Sequence, residues 1–170
     1  MNNAYLLIGG NLGDVARTFD EARALISREC GSITSKSALY KTAPWGFTGQ
    51  NHFLNQVLVV HTPLEGAELM QKILAIEKSL GRARGEKYGP RIVDIDILMI
   101  DDMIINEPDL QVPHPQLPNR RFALEPLAEL CPNLFHPVMH KTIHQLLLDC
   151  SDLLDVERLD DEQQLATDEV

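Results

Sequence analysis

The chain has 170 residues, 44% of them hydrophobic and 24% charged, a balance that predicts one globular domain burying roughly two-thirds of its unfolded surface and excludes a disordered chain. Its formal net charge of −10 argues against a general nucleic-acid binder, because such proteins need a dominant basic surface to displace the counterions of phosphate. No stretch approaches the ~20 apolar residues that span a bilayer, and residues 1–8 lack the charged and apolar regions of a signal peptide, so the chain reads as cytoplasmic.

Residues 4–8 form a short apolar run that ends in Gly9-Gly10-Asn11-Leu12-Gly13, the pattern of a strand leaving into a tight turn. From Asp14 onward Phe19, Ala22, Leu25, Ile26 and Cys30 recur at helical spacing, and Gly31 is placed to end that helix. Two strands are expected over residues 32–40 and 52–61, joined by a loop containing Thr42, Pro44, Trp45, Gly46 and Gly49 that is long enough to cover a ligand. Thr62, Pro63 and Glu65 form a capping-box pattern, followed by the apolar stripe Leu64, Ala67, Met70, Ile73, Leu74 and Leu80 of a second helix.

Residues 82–90 are polar and basic; residues 92–100 predict an apolar strand with a hairpin through Asp101-Asp102 to Ile105. Val112-Pro113-His114-Pro115 reads as loop, and residues 122–130 and 142–148 as short helices. The segment from Asp152 is acidic and expected to fray, so the domain is placed at residues 1–150 with a poorly ordered tail at 151–170. The order strand, helix, strand, strand, helix, strand matches the split βαβ motif of ferredoxin-like folds. The expected class is α+β, a mostly antiparallel sheet with helices packed on its faces. Cys30, Cys131 and Cys150 are odd in number, widely spaced and without a C-x-x-C arrangement, so they suggest neither a disulfide framework nor a zinc site.

Chemistry is concentrated in Asp94-Ile95-Asp96, which lies in an otherwise apolar run from Ile92 to Ile100. A strand's period of two puts both carboxylates on one face. Apolar flanks on both faces predict a central, covered strand, in which an unpaired ionised carboxylate would cost several kcal/mol. A hard cation removes that cost, and Mg²⁺ is commonly held by one or two carboxylates together with phosphate oxygens and water. Beside the aspartates, Lys78, Arg82, Arg84, Lys87 and Arg91 account for five of the chain's 15 Lys and Arg residues. Arginines clamp phosphate with paired donors, so the two features together suit a polyphosphate. His114, held between two prolines, and Arg120 extend the phosphate side, while Trp45, Phe53 and Phe122 are candidates to stack on a flat heterocycle whose edge Asn55 could read. These residues alone leave open a metal-dependent phosphohydrolase, a nucleotide-sugar transferase or a nucleotide-binding regulatory module.

The run Lys87-Tyr88-Gly89-Pro90-Arg91-Ile92-Val93-Asp94-Ile95-Asp96-Ile97-Leu98 resembles the signature of the 6-hydroxymethyl-7,8-dihydropterin pyrophosphokinase family. The resemblance continues through Ile8 to Gly13, Tyr40 to Gly46, Phe53-Leu54-Asn55, Ile76-Glu77, Gly81 to Arg84, Val112 to Pro115 and Asn119 to Phe122. It implies a ferredoxin-like fold that binds ATP as co-substrate through two Mg²⁺ ions, both touching Asp94 and Asp96. It further implies that Arg82 and Arg91 are catalytic and that Arg84, Lys87, His114 and Arg120 contact nucleotide or phosphates. The reduced hydroxymethylpterin would lie between Phe53 and Phe122, with Asn55 and the segment Thr42, Pro44, Trp45 and Gly46 reading its edge. The implied reaction moves diphosphate from ATP to the pterin hydroxymethyl group and releases AMP, in folate biosynthesis, with residues 82–91 closing over the site. Tyr88 stands where many members carry tryptophan, and no general base is identifiable. No coiled-coil heptad occurs, and a monomer acting on small molecules is expected.

Overall fold

The computed structural model describes residues 1–43, 52–81 and 92–160. Strand β1 (Asn2–Gly10) turns into helix α1 (Val15–Glu29), whose first turn is capped by Asp14: its carboxylate accepts the Arg17 amide proton at 3.1 Å. That bond satisfies one of the amide donors a helix start leaves without a partner. After α1, Gly31 has φ of 153°, and a Cβ there would collide with the His61 carbonyl oxygen. Only glycine makes this reversal without strain.

The single strand expected over residues 32–40 is two strands, β2 (Ser32–Lys36) and β3 (Tyr40–Thr42), both paired with β4 (Phe53–Thr62). Lys36 pairs with Leu58 and Tyr40 with Asn55, so Ser37, Ala38 and Leu39 face only Gln56 and Val57. This is a bulge, and Ser37 secures it. Its amide donates to the Val57 carbonyl at 2.9 Å, its hydroxyl accepts the Val57 amide proton at 3.0 Å, and its carbonyl accepts from the Gln56 side-chain amide at 2.7 Å.

Helix α2 (Gly66–Ser79) begins beyond the expected Thr62-Pro63 cap, with Glu65 at its N-cap. Thr62 instead ends β4: its hydroxyl donates to the Cys30 carbonyl at 2.6 Å and accepts the Leu64 amide proton at 3.1 Å. That hydroxyl ties β4 to the end of α1 and is no longer available to cap α2. Strand β5 (Asp94–Ile100) pairs with β1 and does not form the hairpin expected through residues 101–105. Asp101, at φ of 45°, donates its amide to the Asn3 carbonyl and accepts the Asn3 amide proton on Oδ1, which turns the chain away. The next strands, β6 (Ile105–Glu107) and β7 (Leu110–Val112), pair with each other. Helix α3 (Arg121–Leu130), the ribbon of β8 (Phe135–His136) and β9 (Lys141–Thr142), and helix α4 (Ile143–Asp149) follow. Thr142 and Gln145 cap α4 with a reciprocal box.

Within the segment expected to fray, Val156–Arg158 form a further strand, β10, antiparallel to β3. The Leu159 amide donates to the Leu39 carbonyl, and the Leu159 side chain is buried. The charged composition of this segment concealed one apolar anchor.

The main sheet runs β10-β3-β4-β1-β5, with β2 beside β3 on β4, and its pairings are antiparallel. Its order β5-β1-β4-β2/β3 is the ferredoxin-like one and the class is α+β. Alternation along the strands divides the core. Leu6, Ile8, Leu58, Val60, Ile95 and Ile97 pack with α1 and α2 on one face. Leu7, Val57, Val59 and Leu98 pack with α3 and α4 on the other. Strand β5, expected to be central, stands at the end of the described sheet. Its apolar residues are covered by α2 on one face and by α3 and α4 on the other, and the His114 amide donates to the Leu98 carbonyl.

Candidate active site

Residues directly opposite one another in an antiparallel ladder share a face. Tyr40 lies opposite Asn55, Asn55 opposite Gly9, and Gly9 opposite Asp94. One row therefore crosses four strands. The flanking rows place Asp96 opposite Leu7 and Phe53 opposite Thr42. Leu7, Val57 and Leu98 assign this face to the α3/α4 side. The alternation that buries those apolar residues thus brings Asp94, Asp96, Asn55, Phe53 and Thr42 to one face at one end of the sheet.

Gly9 makes room in the middle of the row. A Cβ there would stand 2.5 Å from Oδ1 of Asn55, so the Asn55 side chain lies across the glycine. Asn55 is only 5% exposed among the described residues. The Thr42 hydroxyl is buried, without a partner among them. Buried polar groups are normally paired, and leaving one unpaired costs about 1–3 kcal/mol. The Thr42 hydroxyl and the Asn55 amide, on adjacent strands and one face, have the donors and acceptors to read a flat polar heterocycle.

The acidic side is built by β5. Asp94 and Asp96 are half-buried, separated by the buried Ile95. Between them the Ile95 amide donates to Oε2 of Glu77 on α2 at 2.8 Å, and Glu77 is itself buried. That bond pins the backbone that carries both aspartates. Among the described residues no group of three or more His, Cys, Asp or Glu side chains could hold a metal alone. Two carboxylates on one face nevertheless match a Mg²⁺ ion that completes its octahedron with phosphate and water. The donor set fits that metal and falls short of an all-protein cage.

His114 approaches from the loop before α3. Burial holds its imidazole below the ordinary range, opposed by the charge of Asp96 and assisted by that of Arg120. Its Nδ1 accepts the Gln116 amide proton at 3.1 Å, so in the neutral ring Nε2 carries the proton and can donate. Arg120 stands 5.7 Å from the centre of the Phe122 ring, a cation–π distance. Phe122 packs against the α3/α4 core and is only half-buried.

Of the residues singled out in the sequence, Asp94, Asp96, Phe53, Asn55 and Thr42 share the sheet face, and His114, Arg120 and Phe122 stand on the same side at the start of α3. Pro44, Trp45, Gly46, Arg82, Arg84, Lys87 and Arg91 lie outside the described residues. Two contributors went unassigned. Glu77 stands four residues after Ile73 within the buried face of α2, and an acid in an apolar stripe is a readable sign of a buried partner. Gly9 carries no such sign, since its need for an absent side chain depends on a strand more than 40 residues away.

The model of the family described as 7,8-dihydro-6-hydroxymethylpterin-pyrophosphokinase matches residues 5–132. A 2-amino-4-hydroxy-6-hydroxymethyldihydropteridine pyrophosphokinase of Aquifex aeolicus is 40% identical over 145 residues, covering 85% of this chain and 90% of that protein. One of the same name from Bacillus subtilis is 40% identical over 133 residues, 77% of this chain and 80% of that protein. A crystal structure of wild-type Plasmodium falciparum HPPK-DHPS superposes with a TM-score of 0.73 at 18% identity, covering 87% of this chain and 44% of that one. That likeness concerns the fold, and the chain spans less than half of the Plasmodium protein's length.

Proposed function

The chain belongs to the 7,8-dihydro-6-hydroxymethylpterin-pyrophosphokinase family and is an ATP-dependent diphosphotransferase of folate biosynthesis; on that premise we propose how its residues carry the transfer. The pterin lies on the sheet face with its ring between Phe53 and Phe122. Asn55 and Thr42 supply hydrogen bonds to its edge, and Pro44, Trp45 and Gly46 complete that side. The observation that carries this reading is the buried Thr42 hydroxyl, without a partner among the described residues, next to the buried Asn55 on the sheet face that also carries the two aspartates.

Asp94 and Asp96 would hold two Mg²⁺ ions, which when bound neutralise the phosphates of ATP and the charge that develops on the transferring group. His114 donates from Nε2, and Arg120 presents its guanidinium, to nucleotide phosphate oxygens. Arg82 and Arg91 stabilise the diphosphate in flight, and Arg84 and Lys87 bind the nucleotide. The pterin hydroxymethyl oxygen attacks the β-phosphorus in line: an O–P bond forms, the hydroxyl proton is released to solvent, the bond from the β-phosphorus to the oxygen bridging it to the α-phosphorus breaks, and AMP leaves with that oxygen. Glu77 keeps β5 in register so that both aspartates face the reacting phosphates. The candidate residues fall in a single catalytic domain, which reaches past the expected boundary at residue 150 to take in β10 and Leu159, and we take the enzyme to be a monomer. Three free cysteines suit the reducing cytoplasm, where we place the enzyme.

Product analysis with ATP, Mg²⁺ and reduced hydroxymethylpterin tests the reading. Wild type should form AMP only when pterin is present, and Asp96→Ala should lose that activity by at least about a thousandfold, as expected when charge stabilisation is removed at a phosphoryl-transfer centre. ADP as product, or AMP formed without pterin, would refute it.

A further inference from the structure

The bulge between β2 and β3 opens a second cleft, which the mechanism above does not use. Its volume is about 300 Å³, and its walls come from α1, the bulge, β4, the end of α3 and β10. Three cations line it, Arg23, Lys36 and Arg158, against a single carboxylate, Glu129. With Asp20, which pairs with Arg23, the three cations face two carboxylates, a local excess of one positive charge in a chain of net charge −10.

Arg23 and Arg158 each have one carboxylate partner, and both keep further donors. Glu129 already accepts the Ala38 amide at 3.2 Å, the Tyr40 hydroxyl at 2.8 Å and Nε of Arg158 at 3.2 Å, and Arg158 also meets the Tyr40 side chain, which together use only part of its five guanidinium donors. Arg23 is held in place from below: one terminal nitrogen donates to Oε1 of the buried Gln56 at 2.7 Å, and the other meets Asp20. Gln56 is fixed in turn by the Ser37 carbonyl. Two of the five guanidinium donors of Arg23 are thus used, and three remain. Among the described residues the Lys36 ammonium has no hydrogen-bond or ion-pair partner. The cleft therefore combines one arginine oriented by a buried amide with two cations that keep free donors.

Arginine and lysine donors arranged in this way match the oxygens of phosphate, and the local excess of positive charge favours an anion. The volume falls at the lower end of the roughly 300–1,000 Å³ of small-molecule sites, room for a compact organic body besides the phosphate. We infer that this cleft is a second ligand site, separate from the catalytic face, that takes a small phosphate monoester.

The test is a titration of the full chain with ribose 5-phosphate and, separately, inorganic phosphate, followed by backbone amide NMR. The catalytic face is first saturated with Mg²⁺ and an ATP analogue carrying a methylene between its α- and β-phosphorus atoms. Ribose 5-phosphate should shift the Ser37, Ala38 and Leu39 amides saturably, and Lys36→Met with Arg158→Met should weaken its binding at least about tenfold, the loss of one or more charged hydrogen bonds. Should the double variant fail to fold, Lys36→Glu alone gives the same test, since Lys36 is exposed. Absence of saturable shifts, response to inorganic phosphate alone, or unchanged affinity in the folded variants would overturn the inference.

Discussion

Gly9 and Asn55 show how one missing side chain shapes a site. The clash that a Cβ at Gly9 would cause falls on the end of a flexible side chain, with the nearest backbone atom, the Leu54 carbonyl oxygen, 3.6 Å away. Gly9→Ala should therefore fold with a melting temperature within a few degrees of wild type while the Asn55 amide is pushed aside. The KM for the hydroxymethylpterin should rise about tenfold, the worth of one to two hydrogen bonds. Steady-state kinetics beside a thermal melt separates the two effects, and an unchanged pterin KM in the folded variant would remove Asn55 from the role proposed for it. The two aspartates were legible in the sequence because a strand's alternation is a local rule. Glu77 was half-legible, as an acid in an apolar stripe. The Gly9–Asn55 approach was not legible at all, because it exists only when β1 and β4 pair.

Helix α3 carries Phe122 at its start and is anchored near its other end by Glu129. That carboxylate joins the Ala38 amide, the Tyr40 hydroxyl and Arg158, so α3, β3 and β10 are held by one side chain. Burial, reinforced by the hydrogen bond to Glu129, pushes the Tyr40 phenol above its ordinary range and keeps it a donor. Glu129→Ala strands the hydroxyl of the buried Tyr40 and should cost about 1–3 kcal/mol of stability, with Glu129→Gln intermediate because its amide oxygen still accepts. Urea denaturation of the three proteins gives that order; equal midpoints would show that the carboxylate contributes nothing. Boundaries were misread at this scale for physical reasons. The Thr62 hydroxyl serves the carbonyl of Cys30 in place of a helix cap, and β5 has both apolar faces covered by helices, as expected, yet stands at the end of the described sheet where a central place was expected.

Over the whole molecule, acid should act partly through His136, a buried residue of the β8–β9 ribbon. Its Nδ1 accepts two amide protons, from Val138 at 3.2 Å and Met139 at 3.0 Å. Protonating that nitrogen would break both bonds. Burial, with a smaller contribution from His140, lowers its pKa below the ordinary value of 6.5. Between the two values the unfolded chain binds more protons than the native one, so stability rises with pH in that window and falls on acidification below about 6.5. His114, also lowered by burial, acts in the same direction. His136→Asn should keep an acceptor without the titration, so between pH 7.5 and 5.5 its urea midpoint should fall less than that of wild type. Parallel loss in the two proteins would clear His136 of the effect.

Local patterning settles much about this chain: its helices, the apolar strands, the shared face of Asp94 and Asp96, and an order of elements that few topologies satisfy. Those features follow from periods of two and 3.6 residues and from turn chemistry, all short-range. Tertiary structure alone decided that β5 stands at the end of the described sheet, that β2 and β3 part at a bulge, that β10 joins the sheet and that Asn55 lies over Gly9. Each of these depends on which distant segments meet, and a residue's own neighbours in sequence carry no record of the surface it will pack against.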